Sequence, residues 1–261
     1  MDRSSMGQNN RGRDLQNGYL TLDFRSDAFI SPLALLLASL RLFLRTFPLL
    51  AAITLAIFLP GKLLLHFACY LTDVPSEGIL SYLLMEIGDL FFSALAAPAV
   101  IYGLVYYCRN RTAPPLAEAF RWGRRQWLRT LGNKLKVEVT VTLYGALLFI
   151  PGIVAMMRLI FTDVIVAIEG DREPDPMQRS RTLSHGHRWR IFFTLFPLML
   201  LDLVAMFLTL SWNKGGEHSR LLFAITESLL SVPEQLGTVA IFLMYLGLVQ
   251  DSIQVKAPSR S

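Results

Sequence analysis

Ionisable side chains inside long apolar runs are the residues of this chain best placed to do chemistry. Glu86 and Asp89 lie three apart in one such run, Asp202 lies in another and Arg158 in a third. Residues three apart share a helix face, so the first two act together. An ionised group at bilayer depth costs on the order of 2.5–3.5 kcal/mol on insertion scales. It therefore pairs, lines a wet cavity or takes up a ligand. Arg158 lies seven residues beyond Pro151-Gly152, about 10 Å by helix rise if the chain bends there. Glu86, Asp89 and Asp202 fall at similar depth when their segments are counted the same way. The expectation is a polar centre in which Arg158 contacts at least one of these acids and could bind an anionic head group.

Other chemistry is thin. No GxGxxG, Walker, HExxH or CxxC pattern occurs, so no cofactor or metal is expected. Ser184-His185-Gly186-His187 puts its two imidazoles on opposite sides of a helix, without a carboxylate or thiol at ligand spacing. No catalytic constellation is present, and the reading is non-enzymatic.

The elements that must hold these groups are membrane segments. The chain is 53% hydrophobic and 17% charged, against about 25% charged for soluble domains, and its mean hydropathy is +0.43. The net charge of +5 sits beside apolar runs and not in a nucleic-acid motif. That pattern reads as basic cytoplasmic loops, with anionic phospholipid as the partner and no nucleic acid.

Residues 1–28 are polar and read as a disordered tail. Residues 29–250 read as one membrane domain, and 251–261 as a second cytoplasmic tail. Ser31–Phe47, with Arg41 and Arg45 four apart, reads as an interfacial helix leading into a span, Pro48–Leu71. Pro60-Gly61 is expected to bend that span, with Lys62 and His66 near its outer end. Ile79–Cys108 is the second span. Leu116–Leu131 carries Arg121, Arg125 and Arg129 along one stripe, the pattern of a basic surface helix. Pro176 after Asp175 opens a further cytoplasmic helix. Ile191–Trp212 and Leu221–Val249 complete the set. Cys69 and Cys108 are expected at opposite depths, beyond the reach of a disulfide.

Val137–Gly170 decides the topology. As one crossing it would export the basic segment 171–190; as a hairpin bent at Pro151 and Gly152 it keeps that segment inside. Charge favours the hairpin, with only Lys62, Lys214 and Arg220 left outside. The fold class is then all-α and integral to the membrane. Six transmembrane helices form three hairpins, each preceded by a cytoplasmic amphipathic helix, and both termini are cytoplasmic. The junctions Phe43-Leu44-Arg45-Thr46, Trp127-Leu128-Arg129-Thr130 and Arg188-Trp189-Arg190 suggest a threefold repeat.

Ile150-Pro151-Gly152-Ile153, Arg158, Ile168-Glu169-Gly170, Arg179-Ser180, Leu183, Gly186 and Arg190 together resemble a known pattern. It is that of the membrane domain attached to some bacterial glycerophosphoryl diester phosphodiesterases, and of related stand-alone multi-pass proteins. The resemblance covers about residues 114–250. It departs at Met177 or Gln178, where the family usually has Ala. It implies a six-helix protein of the bacterial inner membrane and no phosphodiesterase chemistry, which belongs to a separate barrel domain. Two functions follow as expectations: transport or lipid handling through the polar centre around Arg158, or a non-catalytic membrane scaffold or regulator.

Overall fold

The computed structural model describes residues 31–72, 78–170, 174–212 and 219–256. The expected N-terminal tail lies outside these residues. So do Lys214 with most of the expected outer loop Asn213–Arg220, whose last two residues are helical, and the last residues of the C-terminal tail. Every regular element among the described residues is a helix: α1 (Pro32–Leu71), α2 (Ile79–Asn110), α3 (Leu116–Leu147), α4 (Phe149–Leu159), α5 (Thr162–Glu169), α6 (Pro176–Ser184), α7 (Arg188–Trp212) and α8 (Ser219–Lys256). Among the described residues four stretches are long and apolar enough to cross a membrane: Pro32–Leu71, Ile79–Asn110, Ile150–Glu169 and Leu222–Ser252.

The surface and the interior exchange their usual residues. Leu64, Phe67, Ile87, Leu143, Phe207 and Leu229 are all exposed, far more apolar surface than a monomer shows to water. Ser39, Thr46, Thr130, Thr194 and Ser228 are buried, and each hydroxyl donates to the carbonyl four residues back. A Ser or Thr bonded to its own helix presents a small, satisfied surface, which lets helices approach where no hydrophobic force drives them together. This is the packing of a membrane protein.

Two expected breaks are absent. Pro48 and Pro60 both lie inside α1, so the expected interfacial helix and first span form one helix of 40 residues. The basic stripe of Arg121, Arg125 and Arg129 likewise runs without interruption into the segment after it, as α3. Only the third amphipathic helix is separate. Asp175 accepts from the Gln178 N–H at 3.0 Å, and Pro176 holds the first turn of α6. Gly186, at φ 85°, then turns the chain into α7, a conformation open to Gly at little cost.

The chain does reverse after α3, but not at the expected residues. Leu148 is extended, at φ −158° and ψ 134°, and the turn is there. Pro151 and Gly152 already lie in the first turns of α4. Gly152 instead allows a close approach. A Cβ on it would stand 2.7 Å from the Gly145 Cα, so the two arms touch backbone to backbone. At the other end of the pair the Trp122 indole donates to the Ala167 carbonyl at 3.3 Å. The returning arm breaks between α4 and α5. Ser180 of α6 mends the break, accepting from the Phe161 N–H at 3.1 Å and donating to the Arg158 carbonyl at 2.9 Å.

Helix α5 is the most enclosed piece, with Val164, Ile165, Val166 and Ala167 all buried. It touches α2, α3, α6 and α8. Around it the chain closes a ring in which α8 returns to pack along α1. Beyond it, α5 ends at Gly170, whose φ of 53° and ψ of −132° suit glycine alone. Next to that turn the Tyr245 hydroxyl donates to Glu169 at 2.6 Å.

Aligned on the basic junctions, Leu35, Ser39 and Thr46 match Ala119, Gly123 and Thr130, and then Ser180, Ser184 and Ile191. All nine are buried. The two cysteines are free and buried.

Candidate functional site

The interior holds an ion cluster shared by three helices. Lys62 on α1 places its Nζ 2.9 Å from a carboxylate oxygen of Asp89 on α2 and 3.1 Å from Glu227 on α8. Its side chain is only 8% exposed, against 41% for Asp89 and 22% for Glu227. His66, one turn beyond Lys62, brings Nε2 to 3.7 Å from the same Glu227 oxygen. Helix rise puts Lys62 about 13 Å from the Leu71 end of α1, Asp89 about 15 Å from the start of α2 and Glu227 about 12 Å from the start of α8. The three groups therefore meet at one depth within the bundle.

Local sequence explains the arrangement. Lys62 and His66 are four apart and share a helix face. Gly61 beside them leaves room for a ring: a Cβ there would stand 2.5 Å from Phe92. Phe92 in turn meets Phe58 edge to face, with centroids 6.3 Å apart. Lys62 has one ammonium for two carboxylates. In a low dielectric such a cluster is stable only while its parts remain together.

A second polar feature has Phe58 in its wall. It is a half-open cleft of about 100 Å³, walled by α1, α2, α3, α5 and α8. Ser93, Lys134, Asp163, Gln235 and Thr238 supply its polar lining. Lys134 and Asp163 are 2.9 Å apart, while Phe58, Ile160 and Ile241 supply apolar wall. Phe58 lines the cleft one turn before Lys62, and Ser93 lies one turn past Asp89, so the cleft and the cluster are neighbours along the bundle. A site of this size and polarity has room for several waters.

The expected site residues separate. Asp89 belongs to the Lys62 cluster. Glu86 is exposed and lies outside it. Asp202 is exposed too, within electrostatic reach of Glu234 on α8. Arg158 is exposed, and among the described residues it forms no ion pair with Glu86, Asp89 or Asp202. The expected pairing is thus not found. The physical reason is azimuth. Met157 and Leu159 are buried on either side, and Arg158 takes the open face in the last turn of α4, where a cation suits the helix dipole. Its carbonyl faces Ser180 of α6, well removed from the cluster.

Sequence reasoning missed Lys62, His66 and Glu227 as partners, and Lys134 with Asp163. The Lys62/His66 spacing was the available signal. Gly152, Glu169, Gly170, Ser180 and Gly186 serve the architecture. Gly152 stands at the arm contact, Glu169 under Tyr245, Gly170 and Gly186 at positive-φ turns, and Ser180 across the break. No family model, curated protein or solved structure matches the chain.

Proposed function

We propose that this chain is a multi-pass transport protein working through the tandem polar features of its interior. The observation that carries the reading is the Lys62–Asp89–Glu227 cluster with a polar cleft further along the same three helices, at Phe58, Ser93 and Gln235. A structural tie between helices needs no cleft beside it, whereas a pathway needs polar stations that solute can reach in turn. The centre is drawn around Lys62 and no longer around Arg158.

In this reading α1, α2, α3, the α4–α5 arm, α7 and α8 are six crossings. Both termini and the basic first half of α3 lie on the cytoplasmic side of a bacterial inner membrane. Arg121, Arg124 and Arg125 are exposed there and attract anionic phospholipid, each contributing about 1 kcal/mol, screened by salt. The resemblance to the phosphodiesterase-associated membrane domain belongs to the same proposal. Reporter fusions at Glu173 and Ser261 should both read cytoplasmic; a periplasmic signal at Glu173 removes the hairpin crossing.

A scaffold is the alternative, and cysteine labelling separates the two. Single cysteines at Ser93, Ala97 and Thr238, in a background lacking Cys69 and Cys108, should react with a membrane-impermeant thiol reagent. If all three stay unreactive in folded protein, the interior is dry and the scaffold reading replaces transport.

A further inference from the structure

We infer that the Lys134–Asp163 cleft is a binding site for a small zwitterion, a molecule with an ammonium and a carboxylate or phosphate a few bonds apart. The inference rests on the transport reading and names the class of solute.

The pair is unlike a plain helix clasp. Lys134 comes from α3 and Asp163 from α5, and the two side chains keep 21% and 29% of their surface open. What they open onto is the cleft. Its volume of about 100 Å³ is on the order of three waters' worth of liquid space. That is room for the polar ends of a small zwitterion and too little for a drug-sized ligand. Ser93, Ala96 and Ala97 on the α2 wall are small, which keeps the space clear.

A zwitterion matches the charges without adding any net charge to the bundle interior. Its ammonium would take the Asp163 carboxylate and its anion the Lys134 ammonium, replacing one internal ion pair by two. A lone anion or lone cation would satisfy one partner and strand the other, which is costly at low dielectric. Gln235, whose amide nitrogen donates to the Ser231 carbonyl at 3.2 Å, adds a held polar group to the lining. Thr238 offers a hydroxyl to either end, and Phe58, Ile160 and Ile241 accept the carbon skeleton.

The same chemistry occurs in free amino acids and in ethanolamine phosphate, loose or as a lipid head group. The test uses the full chain in nanodiscs of phosphatidylglycerol, whose head group carries no ammonium, with thermal unfolding as the readout. Glycine, alanine and O-phosphoethanolamine are added at millimolar concentration, with acetate and ethylamine as single-charge controls. A second set of nanodiscs contains phosphatidylethanolamine. A raised unfolding midpoint with one or more zwitterions, but with neither control, is the expected result. A response to the soluble compounds assigns a free solute; a response to the lipid alone assigns the head group. In Lys134→Met and in Asp163→Asn the responding probe should lose at least tenfold in apparent affinity. No shift with any zwitterion in the unaltered chain overturns the inference, whatever the variants do. So does an equal shift with acetate or ethylamine, or a shift kept in full by folded Lys134→Met. Such failure leaves the cysteine labelling of Ser93, Ala97 and Thr238 untouched, so a wrong solute is distinguishable from a wrong pathway.

Discussion

Replacing Lys62 by Met tests whether the interior cluster is held by charge. Met keeps most of the length and apolar volume of the lysine stem, so packing is little altered. What is removed is the ammonium that Asp89 and Glu227 both contact, at 2.9 and 3.1 Å. Breaking a buried ion pair from one side costs about 3–5 kcal/mol. Two features pull the expected loss to the lower end. The Asp89 side chain is 41% exposed and can turn outward, and Glu227 keeps His66 at 3.7 Å. The expected loss is therefore about 3 kcal/mol, roughly a hundredfold in the folding equilibrium. The triple change Lys62→Met, Asp89→Asn, Glu227→Gln removes all three charges together and should lie within about 1 kcal/mol of the unaltered protein, since well-packed neutral replacements of buried charges are often tolerated. Equilibrium unfolding in mixed detergent micelles, followed by tryptophan fluorescence, measures both. A loss below about 0.5 kcal/mol for Lys62→Met, the scale of an exposed pair, refutes the idea that the ammonium compensates buried acids. A triple variant as unstable as the single one refutes the charge argument altogether.

Three further outcomes follow from close contacts. Gly61→Ala places a Cβ 2.5 Å from the Phe92 ring and should destabilise by about 1–3 kcal/mol; adding Phe92→Leu should recover part of the loss in the same unfolding assay. Ser180→Ala leaves the Phe161 N–H without its partner and the Arg158 carbonyl with only the longer Ser184 bond at 3.4 Å, at about 1–3 kcal/mol, and amide exchange at Phe161 should accelerate. Gly170→Ala, at φ 53°, should cost about 1–3 kcal/mol, whereas Gly132→Ala, inside α3 with nothing within 4 Å of the new Cβ, should stabilise by about 0.5–1 kcal/mol; thermal midpoints moving in the same direction would contradict the backbone argument.

Much of the architecture is legible in the sequence because it follows from composition and period. Apolar runs of span length identify α1, α2 and α8, and the Asp175-Pro176 pair marks the start of α6 to the residue. The reversal after α3 is legible from charge, since the basic segment 171–190 argues for it. Its exact turn is not. Pro151-Gly152 looks like a hinge by residue type, yet proline fits a first helical turn and the glycine is needed for contact with Gly145. The joining of amphipathic segment to span in α1 and α3 is also hidden. Pro48 reads as a break in isolation, but packed neighbours and Ser or Thr side chains can satisfy the backbone a proline frees.

The functional centre shows where counting depth along a sequence stops being informative. Counting residues from a helix end gives depth and says nothing of azimuth. Depth alone makes Arg158, Asp89 and Asp202 equivalent partners. Packing then turns Arg158 to the open face between buried Met157 and Leu159, and Asp202 outward beside Glu234. The true partner of Asp89 is easily overlooked because Lys62 follows Pro60-Gly61, which reads as the ragged outer end of a span. The span does run on to Leu71 as expected, nine residues past Lys62, and its packing against α2 and α8 places the ammonium inside. Once α1 is continuous, the i, i+4 pair of Lys62 and His66 points one way, into the α1–α8 contact where Glu227 stands. Lys134 repeats the lesson. It lies just past the Leu116–Leu131 surface helix read from the sequence; α3 runs on through it, and that continuity brings it to Asp163. Where a cation follows an apparent break in an apolar run, whether the helix continues decides whether its charge lies at the surface or in the core.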